Sequence, residues 1–170
     1  LEIYDGIARV IEACNARGIK MCRPKFTDKA RYADIKNLFD PCFYFKAAAA
    51  NTEAMGDDLV VRNSITMDDE GRFYILTGAN NGGKTTFVRG LGLCFLLAQT
   101  GFYVPAEECV ISTADFIFTH FPKEEETGIN ASRFTTEIKD LKIISDLAEE
   151  NSLLLMNESI PVSYTHLTLP

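Results

Sequence analysis

Residues 78–85 read Gly-Ala-Asn-Asn-Gly-Gly-Lys-Thr, a G-x-x-x-x-G-K-T pattern. It follows an apolar run, Phe73-Tyr74-Ile75-Leu76-Thr77, and opens a helical pattern from Thr86. A strand, a glycine loop and a helix in that order make the context of a phosphate-binding loop. Glycines let the backbone wrap a polyphosphate, and main-chain amides at a helix N-terminus supply positive potential. In that reading Gly78, Ala79, Asn80, Asn81, Gly82 and Gly83 form the cradle. Lys84 reaches the β- and γ-phosphates and the Thr85 hydroxyl holds Mg²⁺. A glycine-rich turn with an incidental lysine is the plain alternative.

A chain of 170 residues with 46% hydrophobic content suits one globular domain with an appendage. No apolar run is long enough to span a bilayer, and no secretory signal is visible. The net charge of −7 argues against these residues gripping nucleic acid with their own surface. The five cysteines are scattered without a C-x-x-C pair, and the two histidines are remote from them. Buried thiols in a reducing cytosol are therefore expected, not zinc or disulfides. The chain starts at Leu1, which suggests a piece of a longer polypeptide.

Helical spacing of Ile3, Ile7, Val10, Ile11 and Cys14 predicts an amphipathic helix over residues 3–17, with Gly18 at its stop. Residues 21–45 are irregular, with Pro24 and Pro41 as breakers and room for short strands. The alanines at 47–50 and the polar residues after them read as a loop or frayed turn. Short strands are expected at 59–61, 65–67 and 72–77. A helix should run from about 85 to 99. Gly90 and Gly92 lower its propensity unless something packs close to its backbone. A strand is expected at 116–119, a charged loop at 123–128, and a helix over 132–150. That helix has Phe134, Ile138, Leu141, Ile144 and Leu147 on one face. The run Leu153-Leu154-Leu155-Met156 reads as a strand buried on both faces.

Several of these segments together resemble the ATPase domain of the MutS DNA mismatch-repair family. LTGANNGGKTT at 76–86 is close to the family's T-G-P-N-M-G-G-K-S-T. GFYVPAE at 101–107 is similar to G-x-[FY]-V-P-A, DFIFTHF at 115–121 to D-x-I-F-T-R, and SLLLMNES at 152–159 to S-L-x-L-[ML]-D-E. The resemblance covers roughly residues 60–160. It implies a parallel α/β sheet of the ABC-type P-loop NTPase, preceded by the end of a helical lever. The implied division is lever end at 1–22, the N-terminal part of the ATPase domain at 23–159, and a tail at 160–170. That tail, IPVSYTHLTLP, could form a strand by composition but departs from the family pattern and is read as non-native.

The resemblance further implies ATP and Mg²⁺ as ligands, a cytoplasmic location, and a dimer whose composite sites are completed by a homologous subunit. It implies duplex DNA, mismatched or distorted, held by domains outside these residues, with ATP switching a DNA clamp. Asn80 matches a residue at the γ-phosphate, and Thr86 one that meets an α-phosphate oxygen. Ser132 matches a signature-loop serine that approaches ATP on the other subunit, or it is an ordinary helix cap. Glu158 matches the general base that polarises the attacking water. At position 157 the family carries Asp near Mg²⁺. Here Asn157 keeps an acceptor oxygen and loses the charge, which weakens a Mg²⁺ site. The family also stacks adenine on an aromatic, where residues 59–63 here are Leu-Val-Val-Arg-Asn. Relatives acting on recombination intermediates or ribosomes, and a nucleotide-binding module with hydrolysis lost, stand as alternatives. The 170-residue piece alone is expected to be poorly soluble or inactive.

Overall fold

The computed structural model describes residues 2–51, 53, 55–79, 82–121 and 130–157, with residues 57 and 130–134 by backbone only. The first helix, α1 (Glu2–Ala16), ends as expected at Gly18. Gly18 takes φ +78, a left-handed conformation open to glycine at low cost. Four strands then form one sheet. These are β1 (Lys25–Phe26), β2 (Ala33–Leu38), β3 (Asn63–Met67) and β4 (Glu108–Ile111), in spatial order β1-β4-β2-β3. β1 and β4 run parallel, while β2 is antiparallel to both β3 and β4. A separate parallel pair joins β5 (Ile117–His120) to β6 (Leu153–Met156). The remaining helices are α2 (Pro41–Ala50), α3 (Lys84–Gln99) and α4 (Asn130–Leu147).

Helix α3 is the centre of the main core. Its Leu91, Cys94, Phe95 and Ala98 pack with Ala33, Ile35 and Leu38 of β2, Cys109 and Ile111 of β4, and Leu155 of β6. Both glycines of α3 meet close neighbours, which is the condition under which their low propensity is tolerated. A Cβ built on Gly90 would lie 3.1 Å from the Phe39 carbonyl oxygen, and one on Gly92 would lie 2.7 Å from Leu155 Cδ1. A second cluster joins α1 to α2 through Cys14, Ile19, Met21, Phe39, Tyr44 and Val60.

Strand β2 alternates inward at Ala33 and Ile35, then shifts by one residue to bury Leu38. Asn37 makes the shift. It sits at φ +53, at the bulge between Ile35 and Leu38. Asn tolerates the left-handed region better than other side-chain-bearing residues. Its amide nitrogen bonds Glu107 Oε2 at 2.6 Å and its backbone N–H bonds Ser64 Oγ at 3.0 Å. Arg31, also left-handed at φ +52, links the two sheets. Its guanidinium donates to Asp69 beyond β3, and to Glu150 and Asn151 before β6.

Several sequence expectations are corrected. The sheet is mixed, not parallel throughout, so the described chain is a mixed α/β domain. Residues 72–77 form no strand: residues 71–79 run without a ladder partner, with Phe73 93% and Ile75 88% exposed. Apolar, β-prone composition does not make a strand when no neighbour supplies the hydrogen bonds. No strand forms at 59–61, while the one expected at 65–67 is β3, which starts two residues earlier at Asn63. The alanines at 47–50 are the last turn of α2, not a loop. Pro41 does not break the chain there: it occupies the first turn of the helix, where a missing N–H costs nothing. Strand β6 is buried on one side only, since Leu154 and Met156 are each 43% exposed beside buried Leu155. The expected apolar face of α4 is covered only in part, with Leu141 and Ile144 half-buried and Ile138 and Leu147 exposed. The charged loop expected at 123–128 and the tail at 160–170 lie outside the described residues.

Candidate nucleotide-phosphate site

The glycine loop is shaped by steric demands that only glycine meets. Gly78 takes φ +148 and Gly83 φ +84. A Cβ on Gly82 would come within 2.9 Å of the Ala79 carbonyl oxygen, to which Gly82 N–H itself donates. Gly83 caps α3 without a side-chain hydrogen bond, so Lys84 is the first helical residue. The Lys84 ammonium group folds back over the loop. It donates to the carbonyl oxygens of Gly78 at 2.8 Å and Ala79 at 2.6 Å. The start of α3 thus combines a cation with the unpaired N–H groups and positive dipole end of a 16-residue helix.

Thr85 follows on the same turn. Its hydroxyl donates to Asn157 Oδ1 at 3.0 Å. Asn157 stands just past β6, and its backbone N–H donates to the His120 carbonyl at the end of β5. Seventy-two residues apart in sequence, Thr85 and Asn157 are brought together because α3 packs on β6 through Leu155 and Gly92. Of the residues singled out from sequence, the structure groups Gly78, Ala79, Gly82, Gly83, Lys84 and Thr85 with Asn157. Thr86 lines the same cavity. Asn80, Asn81 and Glu158 lie outside the described residues. Ser132 belongs to the first turns of α4 by its backbone, and its side chain is likewise outside the description.

The loop opens into a cavity of about 1040 Å³. Its far wall is built by the end of β2, the first turn of α2 and residues 60–63. Sequence reasoning pointed to residues 59–63 by resemblance but missed the end of β2 and the first turn of α2. Asp40 is its anchor: a carboxylate with no side-chain exposure, bonded through Oδ2 to Arg89 Nε at 2.6 Å and Nη2 at 2.5 Å. Its Oδ1 accepts from the backbone N–H groups of Cys42 and Phe43, capping α2. The signal was present in the sequence as Asp-Pro, a cap residue followed by proline at the first helical position.

The thiols take no part in this site. All five cysteines are free, and burial pushes the Cys14 and Cys22 thiols up to about 11. Cys94 and Cys109 touch at 3.9 Å between sulfurs in the core. Among the described residues no cluster of three His, Cys, Asp or Glu side chains could hold a metal. No helix among them is long and apolar enough to cross a membrane.

These features define a class: mixed α/β domains that carry a glycine-lysine-threonine loop at the N-terminus of a central helix. Residues 74–160 match the family profile of MutS domain V. The chain belongs to the MutS domain V family. It is similar to the DNA mismatch repair protein MutS of Thermosipho melanesiensis, 35% identical over 158 residues, which is 93% of this chain and 18% of that protein. The MutS proteins of Thermotoga neapolitana and Fervidobacterium nodosum are each 40% identical, over 58% and 59% of this chain and 12% of their own lengths. The chain thus spans less than a fifth of the length of these relatives.

Proposed function

We propose that this chain binds ATP with Mg²⁺ and, in the intact protein, hydrolyses it to switch a dimeric DNA clamp in mismatch repair. The observation that carries the reading is the Lys84 ammonium over its own glycine loop at the start of α3. The carbonyl oxygens that hold this group belong to the first two residues of the loop, so its charge lies across the loop proposed to wrap a polyphosphate. Main-chain amides in the first turn of α3 and the helix dipole add to that potential.

Thr85 and Asn157 offer two neutral oxygens in contact, a fit for a hard divalent cation that prefers oxygen ligands and keeps several waters. A cation bound there would neutralise charge on the phosphates. Glu158 is assigned the proton transfer from attacking water, and Ser132 the contact with ATP on a homologous subunit. Asn80, Asn81 and Thr86 complete the phosphate contacts. Partners in this reading are duplex DNA, through parts of the protein beyond residues 1–170, and a second MutS-like subunit. The location is cytoplasmic, and residues 1–22 act as the end of a helical lever feeding the ATPase domain.

A second reading has a specific observation behind it. Asn157 places an amide where a carboxylate would bind Mg²⁺ more firmly, so the domain could hold nucleotide without turning it over. Equilibrium binding of fluorescent ATP to the intact protein tests the first reading, with turnover measured alongside. Binding that Lys84→Ala weakens at least about tenfold supports the site, by loss of a charge-assisted contact. Equal binding by wild type and Lys84→Ala would remove the loop from the proposal. Tight binding without turnover selects the second reading.

A further inference from the structure

We propose that Phe43 is the surface on which the nucleobase stacks, and that Asp40 and Arg89 fix its distance from the phosphate loop. The proposal rests on the phosphate-site reading above and adds the residue that senses the base.

The cavity runs without interruption from the loop to the first turn of α2. A triphosphate anchored at Lys84 therefore extends its nucleoside toward that wall. The chain segment there contributes Val60, Val61 and Asn63, none of which has a ring. Aliphatic side chains pack on a base but do not stack as an aromatic does. Three rings line the cavity: Phe39 is buried, Phe87 packs against the main core, and Phe43, 42% exposed, is the one in neither core cluster. Among the described residues its ring has no aromatic partner, and an open phenylalanine face forgoes the gain of burial.

The pattern of α2 explains why Phe43 faces this way. The helix buries Pro41, Tyr44 and Ala48, the face that meets α1 and Val60. Tyr44 is sandwiched edge-on between Phe39 at 5.8 Å and Phe45 at 5.5 Å. Phe43 lies about 100° round the helix from Tyr44. It joins no ring pair among the described residues, so its face is not consumed by the core.

A single carboxylate holds Phe43 in register with the phosphate loop. Asp40 Oδ1 accepts from the Phe43 backbone N–H at 3.3 Å, while Oδ2 binds Arg89 on the helix that begins at Lys84. One residue further along α3, Gly90 lets the helix lie against the Phe39 carbonyl. The ring and the loop thus belong to one packed unit. Stacking reads the flat face of a base and not its edge, so the larger purines gain more from it than pyrimidines do.

The test separates base from phosphate. Full chain is titrated with ATP carrying a fluorescent label on the ribose, and inorganic tripolyphosphate is run as competitor. Phe43→Leu removes the ring and keeps an apolar residue; Phe43→Trp keeps a ring. Loss of one base stack corresponds to roughly five- to hundredfold in affinity. Phe43→Leu is expected to weaken ATP about tenfold while the tripolyphosphate inhibition constant stays within twofold. Phe43→Trp is expected to bind ATP within about threefold of wild type. Arg89→Met is expected to weaken ATP more than tripolyphosphate, the signature of a positioning residue. Unchanged ATP affinity in Phe43→Leu, with tripolyphosphate still bound, overturns the stacking assignment alone. Parallel loss of both ligands in Phe43→Leu overturns it too, since the ring would then be structural. Failure of wild type to bind either ligand overturns the phosphate reading and this proposal with it.

Discussion

Thr85 and Asn157 show how much chemistry can turn on one side-chain atom. The amide oxygen of Asn157 accepts from the Thr85 hydroxyl at 3.0 Å, a contact a carboxylate would make equally well. Asn157→Asp therefore keeps the geometry and adds a negative charge beside the assigned cation site. ATP turnover in the intact protein at low Mg²⁺ is expected to rise several-fold, and the difference should shrink as Mg²⁺ is raised. Turnover independent of this substitution at every Mg²⁺ concentration would take Asn157 out of the mechanism. The glycine loop was legible in sequence because its rule is local: each glycine answers a backbone demand within a few residues. The partnership of Thr85 with Asn157 has no local signal. It was reachable only through resemblance to a family whose strand end carries a carboxylate there. Asp40 and Arg89 escaped because their pairing joins two helices 49 residues apart.

The elements were legible where amphipathic period and stop signals agree. α1 and α3 fall close to their expected bounds for that reason. α2 did not, because Pro41 was weighed as a breaker without the Asp40 cap before it. The stretch at 72–77 failed in the other direction, since strands are completed by neighbours and sequence period is silent on pairing. β4 drew no reading at all; four residues with two inward positions leave too short a pattern. Gly90 gives a test at this scale. On an isolated helix Gly90→Ala should gain up to about 1 kcal/mol. Here the new methyl meets the Phe39 carbonyl at 3.1 Å, and backbone gives way poorly. Overpacking of this kind costs roughly 1–3 kcal/mol. A net loss of about 1 kcal/mol is expected from urea unfolding of the variant, and a net gain would show that α2 and α3 are free to part.

At the scale of the whole molecule, apolar surface stays open on several elements. Phe73 and Ile75 are almost fully exposed, and Leu154, Met156 and Leu147 lie open on β6 and α4. An extended apolar segment with unpaired backbone invites another chain to pair with it. The 170-residue chain by itself is expected to self-associate. Ile75→Lys should reduce light scattering at equal concentration, with a stability change within about 0.5 kcal/mol because position 75 buries so little. Scattering unaffected by the lysine would place the sticky surface elsewhere. Two sheets share one helix in this arrangement, and Gly92 is the joint: Leu155 of β6 occupies the hollow that the absent side chain leaves. Bulk at these two positions is a shared quantity. A homologue that fills the notch on the helix must shave the strand opposite, so the amino acids found at 92 and 155 are expected to vary in concert across the lineage.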